Sequence, residues 1–194
     1  SGTSSNYGLY VSASSDNNLT SNNLSVTGTS TGNYAIYLLS LRSNLTTRNE
    51  ISSNNIRTLG AGSGYGILFE IASNNTIYLN NISTSSSSTV NYGILLNLNS
   101  TKNLISSNTI STNGTGSNFG IYLLTNSSGN VITLNNITTN ETTNGLSYGI
   151  YLAYNSSFNN ITSNIIRTGG TASDYGIYIQ GLSNNNTITS NFIN

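Results

Sequence analysis

The chain has 194 residues, of which five are Lys or Arg, five are Asp or Glu, and none is His, Cys, Met, Pro or Trp. That inventory supplies no thiol or imidazole for nucleophilic, acid–base or zinc chemistry, no disulfide frame and no basic surface for phosphate, so nucleic acid is not an expected partner. Asn, Ser and Thr number 36, 34 and 26, a composition that favours disorder unless the remaining residues are strictly placed.

They are strictly placed. In chain order an aromatic, a small residue and an apolar residue recur as Tyr7-Gly8-Leu9, Tyr34-Ala35-Ile36, Tyr65-Gly66-Ile67, Tyr92-Gly93-Ile94, Phe119-Gly120-Ile121, Tyr148-Gly149-Ile150 and Tyr175-Gly176-Ile177. Their spacings are 27, 31, 27, 27, 29 and 27 residues. A second element, N-x-[IL]-x-x-N-x-[IL], follows each triplet, from Asn17/Leu19/Asn22/Leu24 in the first repeat to Asn186/Ile188/Asn191/Ile193 in the last. A Ser/Thr/Gly-rich stretch closes the repeat.

Within each repeat the apolar period is two, which is strand alternation. In Tyr148-Gly-Ile-Tyr-Leu152 it predicts 148, 150 and 152 on one side and Gly149 with Tyr151 on the other. One such unit cannot bury its apolar side alone, whereas stacked units can. The pattern therefore predicts an all-β, single-stranded parallel β-helix with seven coils of about 27 residues, equivalent positions lying about 4.8 Å apart. It forms one domain over 1–194, with coils starting near Tyr7, Tyr34, Tyr65, Tyr92, Phe119, Tyr148 and Tyr175.

Stacking also assigns the asparagines. Asn tolerates left-handed backbone and carries two donors and two acceptors. The unbroken row Asn22, Asn54, Asn80, Asn108, Asn135, Asn164, Asn191 reads as a hydrogen-bonded structural ladder at a corner.

The pattern G-[IL]-x-[LI]…N-x-I-x-x-N-x-I resembles the right-handed parallel β-helix repeats of the pectate-lyase-like superfamily. More narrowly, it is similar to the NosD-type and carbohydrate-binding or sugar-hydrolase repeats common in archaeal and bacterial surface proteins. The resemblance covers the whole chain and implies the right-handed coil, which agrees with the preference for right-handed parallel connections. It implies an extracellular or cell-surface location. Copper, which the NosD type suggests, wants His, Met or Cys, and this chain has none.

Sugar-cleaving chemistry needs paired carboxyls, and the carboxylates are Asp16, Glu50, Glu70, Glu141 and Asp174. Asp16 and Glu50 fall close enough in register to be neighbours, with Arg48 beside them as an ion-pair partner. No three converge, so no catalytic residue, metal site or cofactor is expected, and the chain reads as a non-enzyme. No apolar run is long enough to span a bilayer.

Two surface features remain. The third position after each aromatic gives the row Tyr10, Tyr37, Leu68, Leu95, Tyr122, Tyr151, Tyr178. It predicts an outward stripe whose tyrosines serve either lateral assembly or sugar binding, or a stripe covered by a loop. The acceptor pattern N-x-[ST] is no more frequent than composition alone gives, but Asn99, Asn126 and Asn155 fall on equivalent outward turns. Asn23, Asn81 and Asn136 are further candidates for N-glycosylation, and Asn44 also carries the pattern.

No cap is visible at either end. The opening Ser1–Asn6 resembles the closing third of a coil, and the residues after Ile193 stop where such a third would begin. Two accounts fit: subunits stacking head to tail, or a segment of a longer β-helix. The leading reading is a structural subunit of an extracellular filament or surface appendage that polymerises with itself, with Ile188 and Ile193 of one copy over Leu9 and Leu19 of the next. An adhesin or carbohydrate-binding rod using the Tyr row is the alternative, and a polysaccharide lyase or hydrolase the third.

Overall fold

The computed structural model describes residues 5–29, 32–41, 45–87, 90–143 and 145–194. Three seven-stranded parallel sheets run along one axis. The first sheet holds the aromatic triplets, from Asn6–Ser12 through Gly32–Leu39, Ser63–Glu70, Val90–Asn97, Ser117–Leu123 and Ser147–Leu152 to Asp174–Ile179. The second holds short strands from Asn18–Thr20 to Thr187–Thr189, and the third runs from Asn23–Gly28 to Phe192–Ile193. Each strand pairs with its equivalents one coil above and below, as Tyr92 does with Tyr65 and Phe119. The expected seven-coil parallel β-helix is thus the observed fold.

One strand per sheet per coil leaves every inward side chain under its own equivalent. Ile51, Ile77, Ile105, Ile132 and Ile161 line the second sheet, fully buried. Ile56, Ile82, Ile110, Ile137 and Ile166 line the third. Ile36, Ile67, Ile94, Ile121 and Ile150 meet them from the first sheet. Each contributes about 1.5–3 kcal/mol through removal of apolar surface from water.

The alternation expected in the first sheet is broken at the glycine. Tyr148 packs with Tyr151 on the outside, while Ile150 and Leu152 join the interior. Gly149 also faces inward, toward the Ile166 methyl, so two consecutive residues point into the core. Period two fails because the coil must bring its first strand very close to the third sheet, and only a residue with little or no side chain allows that approach. Ala35 fills this row in the second coil.

The corners flanking the second sheet are built by single residues in the left-handed region. Before the first motif asparagine they include Asp16, Arg48, Lys102 and Phe158, with φ of 62°, 54°, 56° and 58°. Before the second they include Ser53, Leu79, Ser107 and Leu134, with φ of 55°, 55°, 56° and 58°. The left-handed residue is therefore the neighbour of the ladder asparagine, not the asparagine itself as the sequence suggested. For L-residues this conformation costs about 1–2 kcal/mol each, so something at every corner must offset it.

Introducing Gly120→Val tests the close approach. A Cβ there would overlap the Ile137 methyl and sit 2.5 Å from the Gly149 carbonyl oxygen. Overpacking of this kind costs about 1–3 kcal/mol, so the thermal midpoint followed by far-UV circular dichroism is expected to fall.

Candidate functional site

The asparagine corners are the most regular constellation in the molecule. Asn108 donates its backbone N–H and its Nδ2 to Asn135 Oδ1, at 3.0 and 2.9 Å. The same Nδ2 donates to the Ile77 and Ser106 carbonyls at 3.0 and 3.1 Å. Its Oδ1 accepts the Asn80 N–H and Nδ2, both at 3.0 Å. The file Asn22, Asn54, Asn80, Asn108, Asn135, Asn164, Asn191 repeats this bonding from coil to coil, as the sequence predicted. A second file, Asn17, Asn49, Asn75, Asn103, Asn130, Asn159, Asn186, does the same at the other corner. The motif showed those residues, but nothing in the spacing distinguished a second ladder from a second turn.

Both files have a direction. In every step the lower residue donates and the higher residue accepts. Among the described residues, Asn17 Oδ1 and Asn22 Oδ1 consequently receive no hydrogen bond at one end of the rod. At the other end, among the described residues, the backbone N–H groups of Asn186 and Asn191 have no acceptor, while their Nδ2 groups donate to the Ser156, Ser183 and Ile161 carbonyls.

The outside of the first sheet carries two adjacent aromatic files. Tyr7, Tyr34, Tyr65 and Tyr92 stack with centroids 5.1, 4.5 and 4.8 Å apart. In the neighbouring file Tyr122 and Tyr151 stack at 4.4 Å, and Tyr178 follows at 5.3 Å. Tyr10 and Tyr37 begin that file at 5.2 Å, and Leu68 and Leu95 fill its middle, buried. The stripe is thus outward, yet Tyr122 and Tyr151 are each only 8% exposed, because their faces rest on neighbouring rings. Burial pushes the Tyr34 and Tyr65 hydroxyls up to about 12. Glu70 accepts the Tyr37 hydroxyl at the edge of the files.

The carboxylates do not assemble. Asp16 forms a two-pronged pair with Arg48, at 2.7 and 2.6 Å, on the open surface. Such exposed pairs contribute little, because solvent screens the charges and two long side chains must be held still. Glu50 instead accepts the Tyr78 hydroxyl at 2.6 Å and the Ser52 hydroxyl at 3.0 Å. Asp174 accepts the Ser147 N–H at 3.1 Å. Glu141 is buried and accepts the backbone N–H groups of Thr171, Ala172 and Gly145. The Thr171 N–H, above all, holds its carboxyl below the ordinary value of 4.5. Sequence spacing gave no sign of this cage, which joins connections from different coils.

The glycosylation candidates divide by geometry. Asn99, Asn126 and Asn155 are exposed on equivalent turns, with φ of 61°, 60° and 64°. Asn23, Asn81 and Asn136 are exposed along strands of the third sheet, where their amides are engaged: Asn23 Oδ1 accepts Asn55 Nδ2, Asn81 Nδ2 donates to Asn55 Oδ1, and Asn136 Oδ1 accepts Arg167 Nη1. Asn44 and Ser1 lie outside the described residues. Of the end residues, Ile188 and Ile193 are 43% and 50% exposed, Leu9 is half-buried and Leu19 is already buried; the register places Ile188 in the file of Leu19 as expected, but Ile193 in the file of Leu24, because Leu9 belongs to the first sheet.

Replacing Asn108 by Ala leaves the Asn80 N–H and Nδ2 without their Asn108 acceptor and removes the Nδ2 donor to Asn135 Oδ1, which keeps only the backbone N–H of residue 108. Orphaned buried polar groups cost about 1–3 kcal/mol each, so urea unfolding is expected to show a clearly lower midpoint. A second expectation concerns acid. Because the Glu141 value is depressed, its stabilisation is fully present above the ordinary value of 4.5 and is lost as pH falls through the lower folded value. Glu141→Gln is expected to be less stable at neutral pH and to lose part of the acid dependence seen in melts across pH 2–7.

Comparison with curated proteins and with solved structures finds no match. The family described as "Right handed beta helix region" matches residues 2–148 and, in a second overlapping alignment, 98–194. With its parallel coils and asparagine files, the chain belongs to the right-handed β-helix family.

Proposed function

We propose that this β-helix is a non-catalytic structural rod of an extracellular filament or cell-surface appendage, lengthened by a second copy seated on its terminal coil. The observation that carries the reading is the polarity of the two ladders. Each coil offers Oδ1 acceptors toward one side and backbone N–H donors toward the other, so a further coil of the same kind, here that of a second copy, fits both files in one orientation. A stacked copy would continue both files, the three sheets and the outer aromatic stack in one step. Ile188, Ile193, Phe192 and Tyr175 are open at one edge, and Tyr7 and Tyr10 at the other. Covering them removes apolar surface and pairs strand edges that otherwise face water. Contacts between unlike ends do not close on themselves and generate open fibres. An uncharged joint of this kind depends weakly on salt.

The sugar-binding reading finds less support at the Tyr row, since sugars stack on ring faces and those faces are occupied by neighbouring rings. A shallow cleft of about 420 Å³ on the third sheet, lined by Ser111, Thr138, Asn140 and Arg167 among others, offers hydrogen-bonding groups instead. Glycans at Asn99, Asn126 and Asn155 would add solubility to a surface with almost no charge.

Negative-stain electron microscopy of the purified chain decides the matter: head-to-tail threads one β-helix wide are expected. Ile188→Lys would bury an unpaired charge at the joint while leaving the middle coils folded, since coils contact only their neighbours. It is expected to shorten or abolish the threads. Threads of unchanged length in that variant, or a wild type that stays strictly monomeric at all concentrations, would overturn the reading.

A further inference from the structure

The corner between the end of the third sheet and the start of the first differs from the two asparagine corners. Thr58, Thr84, Thr112 and Thr139 stack there in register, one per coil. All four are buried, and none of their Oγ1 atoms has a hydrogen-bond partner among the described residues. Ser86 Oγ, Asn91 Oδ1 and Ser147 Oγ share this state.

These atoms belong to one region. A Cβ placed on Gly64 would lie 2.9 Å from Thr58 Oγ1 and 3.0 Å from Asn91 Oδ1, so these two atoms flank that glycine. The Asn91 file is itself an interrupted ladder. Asn6 Nδ2 donates to Asn33 Oδ1 at 2.9 Å, and Asn91 Nδ2 to Asn118 Oδ1 at 2.9 Å. Gly64 stands between these two pairs and supplies no amide, which leaves Asn91 Oδ1 without a donor.

Buried polar groups in native proteins are paired, with water when no protein group reaches them. Four hydroxyls, each able to donate and accept, and one oxygen able only to accept form a lining suited to a small ligand that does both. No unbalanced charge favours an ion: the nearby Glu141 carboxylate is already occupied by three backbone N–H groups. We propose that this corner holds an axial file of ordered water molecules, bridging the threonine hydroxyls to one another and to Asn91 Oδ1.

Thr84→Val tests it, because valine keeps the shape and removes the hydroxyl. The two states of the hydroxyl predict opposite signs. A hydroxyl left unpartnered is a burden, and its removal leaves the chain as stable or more stable. A hydroxyl bonded to water contributes, so Thr84→Val is expected to lower the melting temperature by about 2–4 °C. Thr84→Ser is expected to keep the water. In a high-resolution crystal structure of the 194-residue chain, a water peak is expected within hydrogen-bond distance of Thr84 Oγ1, present in Thr84→Ser and lost in Thr84→Val. Either of two results overturns the proposal: a wild-type map with no such peak, or a Thr84→Val protein that melts at or above the wild-type temperature.

Discussion

The amide of an asparagine, shared between a corner and the coil above it, is the interaction on which the fold depends. Each coil turns sharply on either side of the second sheet, and each turn holds one residue at positive φ. Over a whole chain of mostly non-glycine corners that backbone cost is large. The ladder asparagine offsets it locally. Its Nδ2 binds carbonyls from the coil below and from its own corner, and its Oδ1 gathers two donors from the neighbouring asparagine. No other side chain of that size supplies donors and acceptors in this arrangement. With both corners fixed, the isoleucines between them have no freedom of register, and the core follows.

The interior and exterior of the first sheet show a second constraint, close approach. Glycine in the second triplet position lets the strand lie against the isoleucines of the third sheet. The same small residue permits the aromatic before it and the tyrosine two positions after it to lie on the same outer side. The outer files are a consequence of that geometry. Stacked one per coil, the rings bury each other, so a stripe on the outside of the rod behaves as a second small core rather than as an open platform. Burial raises the Tyr34, Tyr65 and Tyr92 hydroxyls above their ordinary value.

The polar corners also give the rod a chemical direction. A ladder in which every step donates the same way ends in acceptors on one side and donors on the other. Apolar packing alone is symmetric in this respect and would not distinguish head-to-tail from head-to-head contact. The asparagines therefore give every coil one accepting and one donating edge. At the third corner the amide file is interrupted at Gly64, and a row of buried threonine hydroxyls runs beside it.

The sequence by itself determined the repeat, the parallel β-helix and one of the asparagine ladders, because a motif recurring at coil length must stack on itself and stacked amides must bond. It also pointed to the ion pair of Asp16 with Arg48. Only the tertiary structure decided which way the side chains face around the glycines, since Tyr148 and Tyr151 share a side that strict alternation forbids. It alone revealed the cage around Glu141, the covering of Tyr122 and Tyr151 and the threonine hydroxyls that are buried with no protein partner among the described residues. The reason is physical: a period read along one strand carries no information about how closely two sheets approach, and it is that distance which fixes burial, side-chain direction and the partners of each buried polar atom.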